Sequence, residues 1–502
     1  MTQIPLAQTA DHAVVNFELN QLNRHGIIAG ATGTGKTVTM KVMTEKLAKA
    51  GVPVFLADIK GDLASLSQAG DVNEVHVAKR VADFGLTYQP TAFPVRLWDV
   101  FGAAGTPIRA TVEMMGPLLL ARILDLNDTQ EGVLNVAFKV AQDHAWPLID
   151  LKDLQALLVE VGNHAKDYTT QYGNVSKASV GAIQRNLLVL EQQGAAQFFG
   201  EPAIDVTNFF ATDAQGLGVV NILMAKQLFN APRLYATFLI WLLNRLMTTL
   251  PEVGDLDKPK LVFFFDEAHL LFKDANQTFI DQVENTVRLI RSKGVGVFFV
   301  TQNPADLPAT IIAQLNNRVQ HKLNAFSAND LKGVKAAANT FRINPDLDVE
   351  AAIGELGTGE ALASFLGENG EPAMVQRAFV YPPESSMTAL VDVAIPALIA
   401  QNPFEVTYRT AVDRASAYET LSAKTADEAA QVQAAQQAKL DATAAKEAAR
   451  AQAAAERQKA KEERGRRNAL PNKLARQVGN QVRTRVVGSI ISAVLKGIFG
   501  RK

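Results

Sequence analysis

The feature that most constrains this sequence is a glycine-rich loop between a short apolar run and a helix-forming stretch. Residues 30–37 read GATGTGKT and match the pattern G-x-x-x-x-G-K-[ST] in full. The apolar residues 26–29 come before the loop, and residues 38–50 follow it as a helix-forming stretch. A strand, a tight loop and a helix in this order open a parallel α/β sheet. The motif therefore predicts an α/β fold and a bound nucleoside triphosphate.

The loop residues have predicted tasks in holding the triphosphate. Backbone N–H groups wrap the phosphate oxygens, and the glycines permit the close approach that a Cβ would block. We expect Lys36 to reach the β- and γ-phosphates and the hydroxyl of Thr37 to bind Mg²⁺. The helix that follows directs its positive end at the anion. The predicted nucleotide-binding residues are Gly30, Ala31, Thr32, Gly33, Thr34, Gly35, Lys36 and Thr37.

A second motif consists of four apolar residues, 262–265, followed by Asp266 and Glu267. A buried parallel strand would deliver Asp266 to the sheet edge where open α/β sheets bind their ligands, and its carboxylate would hold Mg²⁺ together with Thr37. Glu267 would then orient or deprotonate the attacking water. Capping of the next helix is the alternative. Because a phosphate loop lies upstream, hydrolysis is the favoured interpretation.

A further strand is expected at residues 295–300, and it ends in Thr301-Gln302-Asn303-Pro304. We expect Gln302 to sense the γ-phosphate or to hold the water. Before this strand, either Arg288 or Arg291 is expected to act as an arginine finger on a neighbouring subunit's nucleotide, with a solvated helix face as the alternative. The sequence position of the two arginines does not choose between them.

The string ADIKGD at residues 57–62 follows the second strand of the pattern. It places two carboxylates and a lysine at the same predicted sheet edge as the other motifs. These side chains either line the site or form a turn, and Asp58 is the one that we expect to support the site residues.

Strand and helix signals alternate in two blocks that flank a helical stretch, which predicts five or more parallel strands. The expected fold class is α/β with a mainly parallel sheet, a helical insertion and an extended helical C-terminal tail. The predicted organisation is a first part of the core at 1–101, a helical insertion at 102–200, a second part of the core at 201–383, a connecting segment at 384–414, a helical or disordered tail rich in Ala, Lys, Glu and Gln at 415–470, and a basic amphipathic segment at 471–502.

Composition excludes some chemistry and locates any nucleic-acid contact. The sequence has no cysteine, so disulfides, cysteine–zinc sites and thiol nucleophiles are excluded. The first residues lack a secretory signal, and apolar runs are too short for a spanning helix, so a cytoplasmic location is expected. The net charge is −1, so a nucleic-acid site must be a local groove or a basic segment.

The last segment of the chain is basic and has apolar residues at helical spacing. Residues 472–502 contain no acidic residue. A helix here would pack on its own domain, lie on an anionic membrane, or contact a partner protein or nucleic acid. The sequence leaves these alternatives open.

With these motifs in order, the chain resembles the HerA/FtsK superfamily of P-loop motor ATPases, most closely the bacterial HerA-like proteins of the YjgR type. The resemblance covers roughly residues 4–383, and it rests on residues 24–37, 56–63, 265–269 and 293–304. It implies a RecA-like ATPase core, Mg²⁺-ATP as substrate, and a hexameric ring that pumps or unwinds double-stranded DNA. By analogy, Lys36, Thr37, Asp266, Glu267 and Gln302 take the roles given above.

The chain differs from HerA relatives in its N-terminal part, and its oligomeric state and its target are open. HerA relatives carry a barrel domain that helps to assemble the ring, whereas 25 residues precede Gly26 here. This difference argues against a hexamer, and self-assembly into a ring or a smaller oligomer stays open. A nucleic-acid-stimulated ATPase is the first hypothesis. The second is an ATP-dependent switch or assembly factor whose tail engages a protein or an anionic membrane. A metabolic kinase is disfavoured because Glu267 is placed to act on water.

Overall fold

A computed structural model describes residues 3–254, 256–272, 277–325 and 327–478 of this chain. For residues 328, 329 and 468–478 it describes the backbone alone. The basic segment predicted at 471–502 therefore lies outside the described residues, except for the backbone of 471–478, which ends a long helix.

The strands of the described part of the chain form one sheet of 12 strands. They are β1 (Gln3–Gln8), β2 (Val14–Glu18), β3 (Gly26–Ala29), β4 (Val54–Asp58), β5 (Val95–Asp99), β6 (Thr106–Pro107), β7 (Val220–Met224), β8 (Leu261–Phe265), β9 (Val295–Thr301), β10 (Asn317–Gln320), β11 (Glu360–Ser364) and β12 (Gln376–Val380).

The α-helices of the described residues include a cluster between β6 and β7 and a long C-terminal helix. They are α1 (Lys36–Lys49), α2 (Val75–Phe84), α3 (Val112–Ile123), α4 (Asp128–Asp143), α5 (Leu151–Asn163), α6 (Ala165–Tyr172), α7 (Lys177–Gln192), α8 (Ala195–Phe198), α9 (Pro232–Thr249), α10 (Gln277–Ile290), α11 (Ala309–Ile312), α12 (Ala328–Ala338), α13 (Val349–Glu355), α14 (Ile395–Ala400), α15 (Glu405–Tyr408) and α16 (Ala417–Val478).

The order of the strands in the sheet is β2-β1-β12-β11-β10-β3-β9-β8-β4-β7-β5-β6. In this order, every neighbouring pair from β10 to β6 is parallel. The four remaining pairs are antiparallel: β2 with β1, β1 with β12, β12 with β11, and β11 with β10. The mainly parallel sheet is therefore confirmed. Strand β9 lies between β3, which leads into the glycine-rich loop, and β8, which leads into Asp266. Parallel strands end at the same edge, so these two motifs face each other across one strand.

Both faces of the parallel strands are covered by helices, which is why the strands are apolar without interruption. Every residue of β8 and β9 is buried. Side chains alternate across a strand, so Phe264 packs in the core cluster that contains residues of α1, whereas Phe263 and Phe265 pack in the cluster that contains α3, α9 and α10. This packing on both faces holds the carboxyl end of β8 in position beside the loop.

Residues Met1–Ser422 form one compact unit, and a second unit begins at Ala423. The long helix α16 spans Ala417–Val478, and almost all of its side chains from 423 to 467 are exposed. The extended helical tail is therefore confirmed, whereas the domain boundaries given above stay predictions. Among the described residues, no helix combines the length and apolar character that crossing a bilayer requires.

Candidate active site

The loop of residues 30–37 joins the carboxyl end of β3 to the amino end of α1. Gly33 and Gly35 have φ values of 78° and 121°, which favour glycine. Gly30 is needed for space as well, because a Cβ there would lie 2.5 Å from the Cβ of His321. Backbone bonds from Gly30 N to Thr301 O, 3.2 Å, and from Gly359 N to Thr34 O, 3.0 Å, hold the loop to its neighbours. The loop is thus fixed by tertiary contacts.

Lys36 and Thr37 lie in the first turn of α1. The Nζ of Lys36 donates to the carbonyl oxygens of Gly30, at 2.6 Å, and Ala31, at 3.1 Å, inside its own loop. Burial lowers the pKa of Lys36, and the neighbouring charge of Lys60 lowers it further. A phosphate anion would offset both penalties, because it supplies negative charge and hydrogen-bond acceptors. The chemistry of this loop therefore fits a phosphate group.

Asp266 follows the last residue of β8 and is buried. Burial raises the pKa of its carboxyl to about 6, against the opposing effect of Lys60. One of its oxygens accepts a hydrogen bond from the backbone N–H of Glu267 at 2.9 Å, and the hydroxyl of Tyr235 lies 3.4 Å from its carbonyl oxygen. A buried carboxylate with a raised pKa is stabilised by a nearby cation.

The donor set fits Mg²⁺. The ion prefers oxygen ligands, and it usually takes one or two from the protein and others from substrate phosphates and water. The hydroxyl of Thr37 and the carboxylate of Asp266 are oxygen donors on the two elements that meet at this edge. The burial of Asp266, which raises the pKa of its carboxyl despite the nearby Lys60, is the observation that favours a cation here.

Glu267 has an unusual backbone and a crowded carboxylate. Its φ and ψ are 49° and 44°, a left-handed conformation that is uncommon for a residue with a side chain. The Nε2 of Gln302 lies 3.3 Å from each carboxylate oxygen, the Nζ of Lys60 lies 3.5 Å from Oε1, and the Nδ1 of His269 lies 3.4 Å from Oε2. The structure therefore brings Glu267 and Gln302 together, as expected for adjacent strand ends.

Asp58 forms a turn. Its carboxylate oxygens accept hydrogen bonds from the backbone N–H groups of Gly61, at 2.7 Å, and Leu63, at 2.9 Å. Burial, together with the charge of Asp62, raises the pKa of Asp58 to about 7. The turn presents Lys60 to Glu267, so Asp58 lies behind the residues that line the site.

Arg288 and Arg291 lie at the opposite edge of the sheet. Arg288 lies in the last turn of α10, and Arg291 begins the short turn before β9. Strand β9 runs parallel to β3 towards the loop. Arg288 donates to Asn285, and Arg291 lies close enough to His25, the residue before β3, to affect its pKa. Neither arginine therefore belongs to the nucleotide site of its own chain. Their role on a neighbouring subunit stays a prediction.

His321 supports the loop and was not singled out by the sequence. It follows β10, its Nε2 lies 2.8 Å from the hydroxyl of Thr39, and its Nδ1 lies 2.8 Å from the carbonyl oxygen of Glu360. Burial lowers the pKa of His321 to about 4, so the ring is neutral at physiological pH. A histidine outside any motif gives no sequence signal of this role. Its role depends on the pairing of β10 with β3, which the sequence does not reveal.

Comparison with known proteins agrees with this architecture. The family model for the C-terminal part of HerA-like helicases matches residues 3–502. The chain belongs to this HerA-like family. The predicted resemblance to HerA-like proteins is confirmed by this match.

Individual HerA relatives are distant. The DNA double-strand break repair helicase HerA of Sulfolobus acidocaldarius is 22% identical over 69% of this chain, and the protein of the same name from Sulfurisphaera tokodaii is 24% identical over 69%. The chain spans 63% of the length of each of these curated relatives. Among solved structures, the bacterial conjugative coupling protein TrwBdeltaN70 aligns with a TM-score of 0.48 at 15% identity, over 78% of this chain and 92% of that one.

Proposed function

We propose that this HerA-like chain is a Mg²⁺-dependent ATPase that couples hydrolysis to binding, translocation or unwinding of double-stranded DNA. The observation that carries the proposal is the meeting of the phosphate loop, Asp266, Glu267 and Gln302 at one edge of the sheet, with the amide of Gln302 3.3 Å from both Glu267 oxygens. A site that only bound phosphate would need the loop and no carboxylate beside it. A carboxylate held beside it favours attack by water.

In the proposed reaction, the loop amides and Lys36 bind the β- and γ-phosphates. Thr37 and Asp266 would hold Mg²⁺, which neutralises charge on the phosphates when bound. Glu267 accepts the proton of the attacking water, and Gln302 orients that water or the Glu267 carboxylate. The new P–O bond forms as the bond to ADP breaks, so the products are ADP and phosphate.

The carboxylate of Glu267 is held in a restricted position. Its left-handed backbone and its contacts with Gln302 and His269 restrict where the carboxylate lies. Strained backbone is often found at functional sites, where the surrounding structure holds it in place. A general base contributes about 10² to 10⁴ in rate when it is held in reach of its proton. This restriction supports the assignment of Glu267 as the base.

The DNA part of the proposal draws on the family. The relatives from Sulfolobus acidocaldarius and Sulfurisphaera tokodaii are named as DNA double-strand break repair helicases. With a net charge of −1 for the whole chain, we expect DNA to contact a local groove. Self-assembly into a ring or a smaller oligomer would let Arg288 or Arg291 reach a neighbour's nucleotide, and a cytoplasmic location accords with this role. Contacts of the C-terminal tail with a protein or an anionic membrane stay part of the alternative hypothesis.

The test is the steady-state ATPase rate of the purified chain with and without double-stranded DNA, single-stranded DNA and RNA. The Glu267→Gln variant serves as the blank. Stimulation by double-stranded DNA that declines steeply with salt supports the proposal, since phosphate contacts release counterions. ATP turnover that ignores all three polymers favours the switch that acts on a protein or membrane. Absence of turnover above the blank contradicts ATP hydrolysis itself.

A further inference from the structure

A second lysine, Lys60, reaches the site from the strand beside β8. Strands β4 and β8 pair in parallel, so the turn after β4 lies next to Asp266 and Glu267. The Nζ of Lys60 is 3.5 Å from Oε1 of Glu267. Its side chain is 42% exposed, whereas that of Glu267 is 7% exposed. Lys60 therefore pairs with a buried carboxylate while its own side chain remains open to a ligand.

The backbone that carries Lys60 is held firmly. The carboxylate of Asp58 accepts hydrogen bonds from the N–H groups of Gly61 and Leu63, and Asp58 and Leu63 are buried. Gly61 has a φ of 82°, which completes the tight turn. Movement of the ammonium group is thus left to the lysine side chain, which has four rotatable bonds and can cover several ångströms.

The charges around Lys60 are unbalanced. The four carboxylates of Asp58, Asp62, Asp266 and Glu267 interact electrostatically with one another or with three lysines, Lys36, Lys41 and Lys60. A triphosphate adds further negative charge to this excess of carboxylates. The γ-phosphate carries the negative charge that a triphosphate has in addition to a diphosphate, so a second positive group beside it offsets charge that ADP lacks.

We infer that Lys60 is a second phosphate-binding lysine, which leaves Glu267 and binds the γ-phosphate of an incoming nucleoside triphosphate. The inference rests on the proposed function and deepens it. Lys60 stays protonated throughout and exchanges one anionic partner for another. The exchange also removes the ammonium group from Oε1 of Glu267, so that the carboxylate can accept the proton of water more readily. Binding of a triphosphate, and not of a diphosphate, therefore prepares the general base.

The exchange predicts a difference between triphosphate and diphosphate binding. In Lys60→Met, which keeps the length of the side chain and removes its charge, we expect the Kd of a non-hydrolysable ATP analogue to rise at least about tenfold. The Kd of ADP should stay within about twofold, because ADP lacks the group that Lys60 binds. Saturating turnover should fall by about 10² or more. Isothermal calorimetry with Mg²⁺ present measures both affinities.

Two variants make the test specific. Lys60→Arg keeps the charge and should retain the preference for the triphosphate. Lys177→Met removes an exposed lysine in the first turn of α7 and should change neither affinity. Equal weakening of both nucleotides in Lys60→Met, or no change in either, overturns the inference. A rise in turnover overturns it too, because Lys60 would then restrain Glu267.

The binding measurement separates this inference from the proposed function. If the wild-type chain does not hydrolyse ATP, the proposed function fails, yet the triphosphate and diphosphate affinities of Lys60→Met still decide the role of Lys60. If the wild-type chain hydrolyses ATP and Lys60→Met keeps the normal affinity ratio, the role of Lys60 fails alone.

Discussion

Replacing Glu267 by glutamine should separate nucleotide binding from hydrolysis. The amide has the shape of the carboxylate, and its oxygen can still accept from the Nε2 of Gln302, which lies 3.3 Å away. It cannot accept a proton from water. Loss of a general base lowers turnover by about 10² to 10⁴, which corresponds to about 3 to 5 kcal/mol in the activation free energy.

Nucleotide affinity should behave differently from turnover in this variant. The substitution removes a negative charge beside the phosphate site, so the Kd for Mg²⁺-ATP should stay equal or decrease. The assay pairs phosphate release at saturating ATP with equilibrium binding of a fluorescent nucleotide. Glu350→Gln, an exposed position on α13, is the matched control and should leave both quantities unchanged. Turnover within about threefold of wild type would refute the assignment of Glu267 as the base.

Three further predictions follow from the geometry. Burial raises the pKa of Asp266 to about 6, and a metal ligand must be deprotonated. Mg²⁺-dependent turnover should therefore decline as the pH falls through about 6, and a flat pH profile of turnover between about pH 5 and pH 8 would contradict this. His321→Ala removes the partners of Thr39 and of a backbone carbonyl, so the free energy of unfolding, measured by denaturant titration, should fall by about 2 to 4 kcal/mol; a change below about 1 kcal/mol would show that the loop does not need this support. Arg288→Ala and Arg291→Ala should leave the ATP affinity unchanged in calorimetry, because both residues lie at the far edge of the sheet; weaker binding in the monomeric chain would contradict that placement.

Local sequence identified the parts of the site that are contiguous in the chain. The glycine-rich loop, the apolar run before Asp266 and the ending at Gln302 each carry their signal within a few residues, because a strand end and its ligand-facing residue are adjacent in sequence. The alternation of apolar strands and helices also predicted the α/β class. These features can be recognised in the sequence without knowing the order of the strands in the sheet.

The order of the strands was decided by tertiary packing. The insertion of β9 between β3 and β8, and the placement of β4 on the other side of β8, bring Gln302 and Lys60 to the same carboxylate. The string that contains Lys60 left two interpretations open, and only the pairing of β4 with β8 placed the lysine beside Glu267.

The sequence by itself determined that this chain has a phosphate loop, a carboxylate pair after a buried strand and an α/β core, since each is encoded by neighbouring residues. Only the tertiary structure decided that Arg288 and Arg291 lie at the opposite ends of the strands from the loop and that His321 supports the loop. These relations depend on the direction and pairing of strands that are far apart in the chain. Such long-range contacts depend on how entire faces of the sheet and of the helices pack together, and a short sequence pattern does not contain that information.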